Sequence, residues 1–248
     1  SGGSKLTKIT DGAVAFDGVG GTSDTSYLSV PTSSDFAFGT GDFTIECYIY
    51  MNAAPTQHFV LFDFRPSNTQ GAYPQMNVEN NLTLDYYVSS AARITSSALP
   101  LKRWLHVAVS RSGSSTKMFI NGIQEGSTYS DSNDYQQSSF NISNNQYSST
   151  DYSVNGFVSN FRINKGTALY TSNFTPPTEP LTNVTNTKLL CCQSPTSATA
   201  AAVSPVTITA NGNAAATNFN PFNTDINTVR GQETGYCTLN PLRTNEGA

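Results

Sequence analysis

Charge is what this chain has least of. Only 12% of its 248 residues are Asp, Glu, Lys or Arg, and 17 acidic against 13 basic side chains leave a formal charge of −4. Such a surface has no electrostatic attraction for phosphate backbones, which excludes nucleic acid as an expected partner. Long hydrophobic runs are missing too. The apolar stretches at Phe59 to Phe62 and Leu189 to Cys192 fall far short of the ~18 residues of a membrane span, so no membrane insertion is expected. The opening Ser1-Gly2-Gly3-Ser4-Lys5 lacks the charged start and apolar middle of a signal peptide. The expectation is a leader already removed, or exit by another route such as lysis. No C-x-x-C pair occurs among the four cysteines, and His58 and His106 do not lie at ligand spacing from any of them. The reading is buried free thiols, with no metal and no cofactor. On a strand, the neighbours Cys191 and Cys192 point to opposite faces.

Helix signals are nearly absent, while period-2 alternation recurs between turn clusters. In Phe43 to Tyr50, the residues Phe43, Ile45, Cys47 and Ile49 face one way and Thr44, Glu46, Tyr48 and Tyr50 the other. In Trp104 to Arg111, Leu105, Val107 and Val109 oppose His106, Ala108 and Ser110. Both read as half-buried antiparallel strands. Further strands are expected at Ala13 to Phe16, Tyr27 to Val30, Phe59 to Asp63, Leu82 to Val88, Ala91 to Thr95, Lys117 to Ile120, Phe140 to Ile142, Gly156 to Ile163 and Lys188 to Gln193. Asn121-Gly122 supplies the two positive-φ residues of a type I′ hairpin. Pro176, Pro177 and Pro180 make 175–180 an extended crossing, since proline cannot donate to a ladder.

After Gln193 the composition shifts to Ala, Thr and Asn. Residues 1–193 are therefore read as a β-sandwich and 194–248 as an extended C-terminal arm, which docks through Phe219, Phe222, Val229, Tyr236 and Leu239.

Four segments appear in order: Gly41-Asp42-Phe43-Thr44-Ile45-Glu46-Cys47-Tyr48, Trp104-Leu105-His106-Val107-Ala108-Val109-Ser110-Arg111, Phe119-Ile120-Asn121-Gly122 and Gly156-Phe157-Val158-Ser159-Asn160-Phe161-Arg162-Ile163. Together they resemble a concanavalin A-like, laminin-G-type domain over roughly residues 11 to 193. The resemblance implies an all-β, antiparallel two-sheet jelly-roll sandwich. The run from Lys165 to Pro177 and the tail from Asp225 to Tyr236 resemble segments of structural proteins from tailed phages of marine cyanobacteria. That resemblance implies a virion component (tail fibre, tail or capsid surface), and the lectin-like motif order, the low-charge polar surface and the arm's spaced apolar residues lead to the expectation that it assembles with copies of itself and other virion proteins and adheres to host-surface glycans.

Catalytic chemistry is sought and not found in the sequence. A glycoside hydrolase needs two carboxylates about 5–5.5 Å or 6.5–9.5 Å apart. The E-x-D-x-x-E strand of hydrolase relatives has no counterpart, and Asp42 and Glu46 are separated by roughly 13 Å of strand. Glu46 reads as a surface or rim charge, and His106 as a packed or rim histidine. A pair such as Asp63 with Asp85, drawn from different strands, stays open. Many relatives hold calcium at the sandwich rim; Ser143-Asn144-Asn145-Gln146 brings amides where pentraxins carry acids, with Asp151 nearby. What remains is binding by stacking and hydrogen bonds, and the candidates are Tyr73, Tyr129, Tyr135, Tyr147 and Tyr152. The expected protein is not an enzyme. The alternatives are a polysaccharide-degrading hydrolase of the same fold, or a cellular adhesin or extracellular filament subunit.

Overall fold

The computed structural model describes residues 11–19, 26–147 and 152–222. Its strands, in chain order, are β1 (Ala13–Asp17), β2 (Tyr27–Val30), β3 (Phe43–Met51), β4 (His58–Asp63), β5 (Gln75–Glu79), β6 (Thr83–Val88), β7 (Ala91–Ala98) and β8 (Trp104–Ser112). There follow β9 (Ser115–Ile120), β10 (Ile123–Ser130), β11 (Phe140–Ile142), β12 (Asn155–Lys165), β13 (Thr187–Cys191), β14 (Ala201–Val203), β15 (Thr209–Asn211) and β16 (Ala215–Thr217). Among the described residues these build two antiparallel sheets, of nine and seven strands, stacked as a sandwich. The nine-stranded sheet runs β10-β9-β8-β3-β12-β1-β16, with β13 and β14 added beside β12. The seven-stranded sheet runs β15-β2-β11-β4-β5-β6-β7.

The inward residues of the alternating segments form one core between the sheets, in which Phe43, Ile45, Val107 and Val109 meet Phe62, Met76, Val78 and Tyr86. Phe64 and Phe140 stack with ring centroids 4.4 Å apart, an arrangement worth about 0.5–1.5 kcal/mol beyond its buried area. At the Asn121-Gly122 turn φ is 49° and 78°, the two left-handed residues that match the twist of a hairpin.

β12 serves two neighbours because it carries a bulge between Ser159 and Arg162. Its first half pairs with β1 and its second with β13. Asn160, at φ 54°, lies in the bulge and fastens it: its amide donates to Asp11 (2.7 Å), and its carbonyl oxygen accepts from Leu181 N (2.8 Å) and Gln193 Nε2 (2.6 Å). The extra residue bends the strand and frees a polar side chain to tie down what crosses it.

Three expectations need correction. β3 is not half-buried: every residue from Phe43 to Met51 is buried except Tyr50. Its second face lies beneath the crossing that returns from β12 to β13, where Tyr48 Oη donates to Pro177 O and Leu169 N donates to Thr44 Oγ1. Glu46 is accordingly no rim charge. At 1% exposure it accepts from Arg162 Nε (2.9 Å) and Nη2 (2.6 Å), from His106 Nε2 (2.9 Å) and from Tyr170 Oη (2.8 Å). Burial pushes the Glu46 carboxyl up, but the His106 hydrogen bond and the Arg162 charge outweigh it, and the net shift is downward. Cys191 and Cys192 do not diverge either. β13 ends at Cys191, Cys192 turns at φ 60°, and the two buried sulfurs lie 3.6 Å apart.

The arm through residue 222 closes the sandwich rather than leaving it. β14 pairs with β13, β15 with β2 in the other sheet, and β16 with β1. Phe222 packs edge-on against Tyr48 at 5.1 Å, and Phe219 meets Tyr50, Trp104 and Phe157 at 4.8–5.3 Å. These two expected anchors dock on their own sandwich. Val229, Tyr236 and Leu239 lie outside the described residues.

Candidate functional site

The outward face of the seven-stranded sheet is polar, and its register orders it into rows. One row reads Asp63, Gln75, Tyr87, Ala92; the next reads Val60, Asn77, Asp85, Thr95; His58 and Glu79 are paired beyond. Directly paired residues point to the same side, and the alternate residues Met76, Val78, Leu84 and Tyr86 all belong to the core. Cover is unequal across this face. Val60, Gln75 and Asn77 are 0%, 1% and 6% exposed, whereas Glu79, Asp85 and Tyr87 are half-buried and Ala92 and Thr95 are open. The face thus steps from a covered side at β4 and β5 down to an open floor at β6 and β7. Over the covered side, Tyr152 O accepts from Val60 N (2.8 Å) and the Tyr152 ring stacks on His58 at 3.8 Å.

At the step, three acceptors have no hydrogen-bond partner: Gln75 Oε1, Asn77 Oδ1 and Asp85 Oδ1. An unsatisfied buried acceptor costs roughly 1–3 kcal/mol, so three on adjoining positions of two paired strands are a feature of this face that its own hydrogen bonds do not account for. Beside them, the Glu79 carboxyl is pushed up by burial and then by the charge of Asp85, against a hydrogen bond from Asn77 that holds it down.

Asp63 closes the other end of the face. Its carboxylate accepts from Arg65 N (2.8 Å), Arg65 Nε (3.0 Å), Arg65 Nη2 (2.9 Å) and Gln146 N (2.9 Å), and the Arg65 guanidinium lies over the Tyr147 ring at 5.0 Å. A calcium ion beside the Asn144-Asn145-Gln146 loop would need these oxygens. They are filled, and the guanidinium already supplies the positive charge, so the donor set at Asp63 does not fit calcium. Among the described residues no group of three or more His, Cys, Asp or Glu side chains is arranged to hold a metal. Asp151 lies outside the described residues. Asp63 and Asp85 are two strands and two residues apart in register, ~12 Å by strand geometry, too far to share a glycosidic bond.

The five expected tyrosines fall in four places. Tyr147 and Tyr152 flank the polar face just described. Tyr129 stands on strand β10, where its hydroxyl accepts from Asn133 Nδ2 (3.0 Å) and Arg93 lies over its ring at 5.5 Å. Tyr73 is half-buried against the core. Tyr135 is a correction: at 1% exposure it is a core residue, T-stacked on Phe43 and donating to Asp131 Oδ2 (2.8 Å). It lies beside buried Arg111, whose guanidinium is held by Asn133 O (2.8 Å) and Asp131 O (3.0 Å). A tyrosine among polar neighbours in a loop gives no sequence sign of this, because the aromatic residues it meets, Phe43 and Tyr86, come from strands far away in the chain. Gln75, Asn77, Glu79 and Tyr87 were not anticipated. For Asp85 the sequence suggests only a partnership with Asp63.

Comparison with known proteins gives a consistent picture of the fold. The laminin-G-type model of the concanavalin A-like lectin/glucanases superfamily matches residues 21–169. No curated protein matches the chain. Among solved structures, a Bacteroides ovatus protein assigned to carbohydrate binding superposes with TM-score 0.53 at 15% identity, over 86% of this chain and 61% of that one. The chain therefore spans less than two thirds of that protein. A native heptameric SAP-like pentraxin from Limulus polyphemus superposes with TM-score 0.51 at 18% identity, over 67% of this chain and 81% of the pentraxin. At these identities the similarity is one of fold.

Proposed function

Because the chain belongs to the concanavalin A-like lectin/glucanases superfamily, we propose that it is a carbohydrate-binding module that breaks no bonds, using the outward face of its seven-stranded sheet to hold glycans. The observation that carries this reading is the trio of unpartnered acceptors, Gln75 Oε1, Asn77 Oδ1 and Asp85 Oδ1, beside half-buried Tyr87 and the Tyr152–His58 stack. Sugar hydroxyls are donors that answer such oxygens, and aromatic rings offer faces for the pyranose. The test is a glycan array and titration calorimetry of the wild type beside Asn77→Ala and Asp85→Ala. Binding that falls in both variants, with melting temperature held, supports the reading; glycan binding unchanged in both overturns the location.

The setting is a virion surface, as a tail fibre, tail or capsid-surface component assembled with copies of itself and neighbouring virion proteins. The support is the resemblance of Lys165 to Pro177 to phage structural proteins and a surface poor in charge and rich in hydroxyls and amides. Mass spectrometry of purified particles tests it: absence of the chain from virions ends that part of the reading.

One observation favours a second reading. Glu79 and Asp85 are diagonal across paired strands, a relation of about 7–8 Å, within the spacing of an inverting carboxylate pair, and burial followed by the charge of Asp85 raises the Glu79 carboxyl in the direction a general acid needs. Reducing sugar released from host polysaccharide by the wild type and lost in Glu79→Gln would make the protein a hydrolase.

A further inference from the structure

We propose that this face prefers glycans carrying a protonated amine, with Asp85 and Asn77 receiving the ammonium group and Gln75 a neighbouring hydroxyl of the same ring. The inference rests on the glycan-binding reading and adds ligand chemistry to it.

The argument starts from what the three orphaned groups have in common. Each is an oxygen acceptor, and one belongs to a carboxylate. A ligand meeting them therefore needs donors, and an ammonium has three N–H donors and no acceptor. Two of the side chains, Gln75 and Asn77, are more than nine-tenths buried and still unpaired at these atoms. Asp85 lies directly across from Asn77 in the ladder, so their side chains are ~5 Å apart at Cβ, close enough for one amine. Gln75 lies two residues along the same strand, ~7 Å away, which is about the distance from one ring substituent to another across a pyranose.

Charge points the same way. Among the described residues no Arg or Lys forms an ion pair with Asp85 or Glu79, and the imidazole opposite Glu79 in the ladder is that of His58, stacked on Tyr152. Arg65 is closed by Asp63 and stacked on Tyr147. Arg93 donates to Val88 O (3.0 Å) and lies over Tyr129. Burial first, and then the charge of Asp85, raises the Glu79 carboxyl, and the second of these belongs to the same negative field. An arriving ammonium would relieve it, whereas an acidic or sulfated sugar would add to it. Among the described residues the carboxylates of this face that no guanidinium closes are Glu79 and Asp85, Asp63 being held by Arg65, and no group of three or more His, Cys, Asp or Glu side chains is arranged to hold a metal, which favours an amine over a divalent ion.

The experiment compares three probes of matched length by titration calorimetry: a chito-oligosaccharide with free amines, its N-acetylated counterpart and a neutral gluco-oligosaccharide. The expected result is a preference for the free amine of about tenfold, the ratio that one charge-assisted hydrogen bond supports, falling as salt is raised. Asp85→Asn should erase that preference while retaining the weaker neutral-sugar binding. Asn77→Ala, checked by its melting curve, serves as the second variant if Asp85→Asn misfolds. Equal affinity for the three probes overturns the amine preference and leaves glycan binding standing. No binding to any of them or to a broad array overturns the glycan-binding reading itself. Displacement of the amine probe by calcium chloride at matched ionic strength would make this a metal site and overturn the proposal.

Discussion

Replacing Arg162 by Met isolates the interaction that holds the long crossing onto the nine-stranded sheet. Glu46 would keep His106 Nε2 and Tyr170 Oη as donors but lose both guanidinium contacts at 2.9 and 2.6 Å, in a place where it is 1% exposed. Arg162 Nη1 also donates to Thr182 O at 2.9 Å, so the crossing loses a tether. Breaking one side of a buried ion pair costs about 3–5 kcal/mol, a large part of the ~5–15 kcal/mol of a whole domain. At about 2–4 °C per kcal/mol for a chain of this size, the melting temperature should fall by roughly 6–20 °C at neutral pH. The pH dependence has a definite sign. Glu46 is net lowered in the fold, so its contribution is present above the ordinary carboxylate range and is lost as pH falls through its folded value. A protonated Glu46 needs no cation, and the gap between variant and wild type should therefore narrow in acid. Glu46→Leu combined with Arg162→Met should recover part of the loss, since no bare charge stays buried. Paired urea and thermal melts from pH 7 to pH 4 read all of this. A single Arg162→Met variant within about 1 kcal/mol of wild type at pH 7 would refute the claim that Glu46 is a buried anion that depends on this guanidinium.

Gly122→Ala should lower the urea midpoint by more than ~1 kcal/mol equivalent, because φ is 78° and an added Cβ would stand 1.9 Å from Phe174 O. Phe222→Ala, at 7% exposure, should cost about 3 kcal/mol and loosen hydrogen-exchange protection of β14 to β16, while Phe219→Ala, at 39%, should cost clearly less; equal effects would contradict the arm's docking as described. In a Cys237→Ser background, the remaining thiols should resist a thiol-reactive chromophore until urea unfolds the chain. Burial pushes the Cys47 thiol up, and the Cys192 sulfur together with burial raises that of Cys191.

The strands written most plainly in the sequence are those with one apolar and one polar set, and β3 shows the limit of that code. Alternation gave its direction and its inner face correctly. It could not tell that Thr44, Glu46 and Tyr48 are covered as well, because the cover arrives from 166–182, more than a hundred residues later. The same distance hid the charge of Glu46 behind Arg162 and Tyr170. β5 was missed for a different reason: Gln75 to Glu79 holds only two apolar residues, Met76 and Val78, among amides and an acid, and local composition there favours turns. The arm strands are three residues each, too short for any periodicity to register. They form because edges of an existing sandwich offer them unpaired backbone groups.

The candidate site was illegible for a reason that follows from its construction. Asn77 and Asp85 lie eight residues apart, and neither belongs to a spacing that chemistry requires; only the β5–β6 register sets them side by side. The expectation of binding by tyrosines in loops names Tyr147 and Tyr152, which the structure places beside this face. The polar atoms that would select a ligand sit on strands, where an Asn or Gln reads as a solvated outward residue. What marks them is a property no sequence pattern carries: an oxygen shielded from water and left without a donor. An amide on a strand is cheap when water solvates it and costly when it is covered and unpaired. Binding would therefore draw part of its free energy from a cost already present in the unliganded fold. Asn77→Leu removes this cost together with the hydrogen bond from Asn77 to Glu79, so it should weaken the glycan while stability stays within about 1 kcal/mol of wild type, and a larger loss of stability would place Asn77 among the residues that hold the sheet instead.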